Sequence, residues 1–389
     1  MPTPFVKAER LQKLPPYLFA EIDKKKKAAI AAGKDVINLG VGDPDTPTPR
    51  PIIESLQKNV ENAAFHQYAL DQGAPELRAS IKSFCMKRYG LDLDPNGEIL
   101  PLIGSKEGLA HFPFAVLNPG DVALVPDPCY PVYKSSTNFA GGEVHLMPLD
   151  PKNGFLPDFS AIPADVLRKA KLLFLNYPNN PTGAVANLDF YREALALAQK
   201  HDLIIAQDAA YNEMYFDAPP PSMLQIPGAK DYVVEFHSLS KTFNMTGWRV
   251  GFAIGAAPLV GALGQVKANT DSGIFTAIQF AAKTALDEYD TITPPLRSMY
   301  KDRRDAFVAA FKKIGWDVPP PSATFYMWIP CPKGYTSTET CAKLLDEADV
   351  VTTPGLGFGK SAEGFIRATL TVDTPRLIEA VERIGKLTW

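Results

Sequence analysis

Between about residues 99 and 255, short apolar runs alternate with helical stretches, and this alternation constrains the fold more than any other feature. The runs cover 98–103, 121–126, 144–149, 171–175, 203–206, 232–237 and 250–254. A run as short and as nearly all apolar as 171–175 suits the interior of a parallel sheet, where both faces are covered. Strands separated by helices form βαβ units. The expected large domain is therefore a doubly wound, mostly parallel α/β structure.

The chain has 389 residues, more than one hydrophobic core usually serves, so two domains are expected. Residues 1–16 are proline-rich and read as an irregular arm, followed by a helix over 17–32. Helices are also expected over 52–65, 75–88, 296–313, 338–348 and 375–387, and strands over 324–329 and 365–370. Thr293-Pro294-Pro295 reads as a break before the C-terminal part. A formal net charge of −3 offers no footprint for nucleic acid. Four widely spaced cysteines form no disulfide or metal-ligand pattern and fit a reducing, cytoplasmic compartment. The N-terminal residues Lys7, Glu9 and Arg10 interrupt any signal-peptide core, and no apolar run approaches a membrane span.

Several turns after these runs carry residue types that suggest chemistry. Lys241 lies in a polar loop between two strands, Ser238 to Arg249, and a lysine buried there is costly unless paired or covalently used. Gly104-Ser105-Lys106 offers free backbone N–H groups at a helix start, a natural anion site that is also an ordinary cap. Asp208 ends a core strand, where ligands of open α/β sheets bind, although such an aspartate can merely cap a helix. Gly40 to Pro49 is a rigid turn whose backbone approaches something closely. Arg367 sits between Ile366 and Ala368, and strand alternation alone points it to solvent. Tyr68 and Tyr130 read only as a half-buried tyrosine and a turn anchor.

Taken together, these segments resemble the class I/II aminotransferases, the fold-type I pyridoxal-phosphate enzymes. The resemblance rests on Ser238-x-x-Lys241 with Arg249 downstream, Asn180-Pro181-Thr182-Gly183, Asp208 with Tyr211, the Gly42 loop and Arg367. It implies a large domain with a mostly parallel seven-stranded sheet and a smaller α/β domain. The implied limits are 1–48 for the arm and part of the small domain, 49–292 for the large domain and 293–389 for the C-terminal small domain. The implied cofactor is pyridoxal 5′-phosphate, held covalently by Lys241, the catalytic residue. Ser105, Lys106, Ser238 and Arg249 would serve its phosphate, with Tyr68 reaching over from the partner of a homodimer. Tyr130 would stack on its ring, Asp208 would face the ring nitrogen, and Asn180 and Tyr211 the phenolic oxygen. Val41, Gly42, Asn180 and Arg367 would bind substrate. No metal is implied.

Wording beyond the common marks narrows the resemblance to one branch. It comprises Tyr17-Leu18-Phe19, Asn176-Tyr177-Pro178-Asn179-Asn180, 235–242 and Val351-Thr352-Thr353-Pro354-Gly355 before Gly357-Phe358-Gly359. That branch moves an amino group between L,L-diaminopimelate and 2-oxoglutarate, giving tetrahydrodipicolinate and glutamate on the route to lysine. Aspartate or alanine as substrate remains open, because enzymes for those amino acids share almost all the marks. The same fold also serves cofactor-using C–S lyases and non-enzymatic regulators, and both classes stay open here. The regulator usually carries a DNA-binding domain, for which the sequence leaves no room.

Overall fold

The computed structural model describes residues 5–14 and 18–389, the side chains of 18–22 excepted. Part of the expected arm and Tyr17, quoted above for its resemblance, lie outside the described residues. Seven strands form the central sheet: β1 (Ile99–Leu102), β2 (Val122–Asp127), β3 (Glu143–Pro148), β4 (Ala170–Asn176), β5 (Ile204–Asp208), β6 (Val233–Ser238) and β7 (Gly251–Gly255). Their order is β1-β7-β6-β5-β4-β2-β3. Strand β7 runs antiparallel to both neighbours, and the remaining pairs are parallel.

The apolarity of the interior strand β4 has a direct cause. Leu172 and Phe174 of β4 point into one core, and Leu173 and Leu175 into another on the opposite face. A strand covered on both sides has no polar face to display. The parallel direction also brings four strand ends to one edge: Asp127, Asn176, Asp208 and Ser238 are the last residues of β2, β4, β5 and β6. Ligands of open α/β sheets bind beyond such an edge.

Gly251 opens β7 where the sheet leaves no room. A Cβ there would stand 2.6 Å from both the His237 carbonyl oxygen and the Ser105 backbone nitrogen. Gly251→Ala is therefore expected to destabilise the protein by about 1–3 kcal/mol, seen as a lower midpoint of urea unfolding at unchanged slope.

A second core gathers Ile37, Leu39, Phe307, Phe311, Met327, Ile366 and Leu377. Its sheet has the order β9 (Thr353–Pro354), β10 (Phe365–Thr369), β8 (Tyr326–Pro330), all antiparallel. Ile37–Asn38 pairs in parallel with Val350–Val351 and so ties the N-terminal segment to this unit. Thr293-Pro294-Pro295, expected to be a break, lies inside one helix, Tyr289–Lys313. Both prolines face solvent, while Tyr289, Ile292, Tyr300 and Phe307 keep a continuous buried stripe along the other side. Packing of that stripe outweighs the local cost of proline. Tyr289 and Ile292 join the large-sheet core, whereas Tyr300 and Phe307 join the second core. We propose the domain division 1–48, 49–292 and 293–389 on this basis, with the seam inside the helix. The helix expected over 52–65 ends earlier, at Val60, and a 3-10 turn, Ala63–His66, follows.

Candidate active site

Lys241 lies in the short helix Leu239–Thr242, which starts where β6 ends. Ser238 caps it, its Oγ accepting from the Ser240 backbone N–H at 3.2 Å. The half-buried Lys241 Nζ donates to the Gly42 carbonyl at 3.2 Å. Its pKa is lowered from 10.5 to about 8. Burial is the largest cause, Arg249 and Arg367 add to it, and Asp43 and Asp208 oppose it. Neighbouring cations alone would be a poorer explanation than burial, because the two acids work against them.

Beside Ser238, an anion cradle forms at the start of the helix Ser105–Val116. Gly104 takes φ +78°, and a Cβ on it would stand 2.5 Å from Arg249 Nη2. Only glycine lets the guanidinium come this close to the turn. Arg249 is itself in the left-handed region, φ 56°, and donates from Nη1 to the Thr246 carbonyl at 2.9 Å. Lys106 has a lowered pKa, through burial and then through Arg249. Its Nζ lies 5.9 Å from the Tyr130 ring centre. Helix N–H groups, two hydroxyl-bearing residues and two cations thus frame one place for a dianion.

Asp208 is buried at the end of β5. Its carboxylate accepts from Tyr133 Oη at 2.6 Å and from the Ala210 N–H at 3.3 Å. Burial nevertheless raises its pKa from 3.8 to about 6. Asn176 Nδ2 donates to the Asp208 carbonyl at 2.8 Å and fixes the strand end. The Tyr211 hydroxyl bonds the Tyr326 hydroxyl at 2.7 Å. Tyr326 in turn occupies the space above Gly42, where a Cβ would stand 2.4 Å from its oxygen.

Arg367 is 1% exposed, so the solvent-facing expectation from alternation is overturned. Alternation itself holds: Ile366 and Ala368 enter the second core, and Arg367 takes the opposite face. That face is covered by aromatic rings and turned toward the large domain. The guanidinium lies 4.3 Å from the Tyr326 ring centre and 4.7 Å from that of Phe358. Nη1 donates to Asn180 Oδ1 and Nη2 to the Gly40 carbonyl, both at 2.8 Å. Thr369 and Thr371 hydroxyls hold the Val41 carbonyl at 3.3 and 3.1 Å, which fixes the neighbouring loop.

Lys241, Asn180, Arg367 and the Val41–Gly42 loop therefore meet directly, and Asp208, Tyr211, Ser105 and Arg249 surround them. Tyr68 does not join them within the chain: it is 97% exposed. Sequence reasoning misses two functional neighbours, Tyr133 behind Asp208 and Tyr326 between Tyr211 and Arg367. Tyr133 stands three residues after Tyr130, close enough that the same turn could have flagged it; Tyr326 is 115 residues from Tyr211, and no local pattern links them. Among the described residues, Glu107, His111 and Asp271 are grouped closely enough to hold a metal ion. The Lys267 ammonium already sits there, 2.6 Å from Asp271 Oδ1 and 3.4 Å from Glu107 Oε2.

The donor set fits pyridoxal phosphate. The cradle suits a phosphate, the buried Asp208 carboxylate suits a ring N–H cation, and Lys241 is an amine with a lowered pKa. The sequence matches the model of the family "Aminotransferase class I and II" over residues 34–384. The LL-diaminopimelate aminotransferase of Syntrophobacter fumaroxidans is 54% identical over 386 residues, covering 99% of this chain and 100% of that protein. That of Aquifex aeolicus is 51% identical and covers 98% of each. The apo-BacF structure from Bacillus subtilis superposes with a TM-score of 0.95 at 40% identity, covering 98% of both chains. With its site geometry and these likenesses in agreement, the chain belongs to the class I and II aminotransferases and uses pyridoxal phosphate.

Proposed function

We propose that the protein transfers an amino group reversibly between L,L-diaminopimelate and 2-oxoglutarate. The observation that carries this reading is identity above one half, over nearly the whole of both chains, to relatives named for that reaction. When bound, the cofactor supplies a carbonyl carbon that accepts the amino group and a ring that draws electrons from the substrate's Cα.

The chain's residues take the following parts. Lys241 would hold the cofactor, and its amine, with a pKa lowered to about 8, would move the proton on and off the substrate Cα. Ser105, Lys106, Ser238 and Arg249 would hold the phosphate. Tyr130 would lie against the ring, Asp208 would face its nitrogen, and Asn180 and Tyr211 its phenolic oxygen. Arg367, packed against the Tyr326 and Phe358 rings, receives the substrate α-carboxylate as a planar fork. The Val41–Gly42 backbone borders the same place. Tyr68, fully outward, serves the phosphate of a second copy in a C2 dimer. Leu70 and Phe275 are also exposed, 64% and 39%, as a surface awaiting a partner would be. No described helix is long and apolar enough to cross a membrane, and a cytoplasmic site of action is part of the proposal.

Mixing the holoenzyme with one amino acid at a time tests the substrate assignment. Diaminopimelate and glutamate are expected to change the cofactor absorbance rapidly, and aspartate and alanine to do so far more slowly. Faster conversion by aspartate would end the diaminopimelate reading and leave aminotransferase chemistry in place.

A further inference from the structure

The C-terminal end of β2 carries an acid that the reaction does not use. Asp127 is 2% exposed. Its Oδ1 accepts from Lys134 Nζ at 3.0 Å, and its Oδ2 accepts from the Ser361 backbone N–H at 3.0 Å. Ser361 belongs to the other domain, in a loop (354–362) wound through two 3-10 turns, Gly355–Gly357 and Lys360–Ala362. Two residues after Asp127, the Cys129 N–H donates to the Phe358 carbonyl at 3.1 Å. Gly359 closes onto the acid so tightly that a Cβ would stand 1.7 Å from Asp127 Oδ1. The outer side of the loop is thus pinned to the large domain at three points. Its inner side presents Phe358, 2% exposed, to the Arg367 guanidinium and edge-on to Trp328.

We propose that Asp127 is a positioning residue for α-carboxylate recognition. It fastens the 354–362 loop to the sheet edge and so fixes Phe358 against Arg367. The guanidinium is positioned by the two rings packed against it, Tyr326 and Phe358. A loose loop removes the Phe358 ring from the guanidinium and widens the range of orientations the fork adopts, which weakens a bidentate contact more than it slows proton transfer at Lys241. The proposal rests on Arg367 being the carboxylate grip.

Asp127→Asn keeps the shape, but its amide must turn its NH₂ toward either Lys134 or the Ser361 N–H, so one donor loses its acceptor. Gly359→Ala attacks the same contact from the other domain and keeps the carboxylate. The substrates are L-glutamate and 4-aminobutyrate, which has glutamate's far carboxylate and lacks the α-carboxylate. Each variant is expected to raise the half-saturating glutamate concentration about tenfold while the limiting half-reaction rate stays within about twofold. Conversion of 4-aminobutyrate should be unchanged, and the double variant should be no worse than the poorer single one. Equal slowing of both substrates, or a Gly359→Ala enzyme with wild-type half-saturation, would overturn the proposal. Arg367→Lys separates it from its premise: this variant should lose most of the preference for glutamate over 4-aminobutyrate. A preserved preference there would remove the carboxylate assignment itself, whatever Asp127→Asn does.

Discussion

Replacing Lys241 with alanine is expected to lower amino-transfer turnover about 10⁴-fold or more, with a much smaller change in half-saturation for the amino acid. The two effects separate because Arg367 and Asn180, which would bind the substrate, do not depend on the lysine for position: they hold each other at 2.8 Å. What is lost is the amine that moves the Cα proton. Its pKa, lowered to about 8, makes it suited to that work. At pH 7.5 about a quarter of such an amine is neutral, against about one part in a thousand for an ordinary lysine. Burial disfavours the charged form, so the neutral base appears as pH rises through about 8, and the limiting rate should climb to a plateau above that value. The alanine variant should lack this rising limb. Lys241→Arg should be equally inactive, because a guanidinium keeps its charge and cannot take the proton. An alanine variant retaining a tenth of the wild-type rate would sink the assignment.

The parts of this site that are legible in the sequence are those carried by strand ends. Asp208, Asn180 and Ser238 follow short apolar runs, and a parallel sheet with two covered faces brings the ends of such runs to one edge. The Gly42 turn is legible as one needing close backbone approach and Gly104 as the start of an anion site, and their neighbours, Tyr326 and Arg249, show what approaches. Alternation alone misplaces Arg367 because the period reports two faces and not what covers each. Its side of β10 is roofed by Tyr326 and Phe358. The two prolines at 294 and 295 mislead for a related reason. Local propensity ends a helix there, while the buried stripe from Tyr289 to Phe307 carries it through. Contacts such as Tyr133 to Asp208, or Asp127 to Ser361, join segments far apart in the chain. They depend on tertiary packing, which no local pattern encodes.

Asp208→Asn is expected to act in opposite directions on rate and on stability. The carboxylate is buried, and its pKa of about 6 shows what holding the charge there costs. A rise from 3.8 to about 6 corresponds to about 3 kcal/mol against folding of the ionised, cofactor-free protein. A folded pKa above the unfolded one makes this group favour the native state below about pH 4, and that contribution disappears as pH rises through about 6. Asparagine can keep both contacts, its carbonyl accepting from the Ala210 N–H and its NH₂ donating to the Tyr133 oxygen, and it never ionises. The cofactor-free variant should therefore resist urea better than wild type at pH 7.5, by up to about 3 kcal/mol, and the gap should shrink toward pH 4. Turnover should fall about 10²–10³-fold, the usual effect of removing one preorganised electrostatic contact, because no anion then keeps the ring nitrogen protonated. Tyr133 explains why the acid is poised and not simply neutral: its hydroxyl bond favours the anion and keeps the pKa from rising further. A variant with wild-type turnover would show that the charge is not used. One that unfolds at lower urea than wild type would show that Asp208 stabilises the fold, and the trade between folding energy and electron withdrawal would then be wrong.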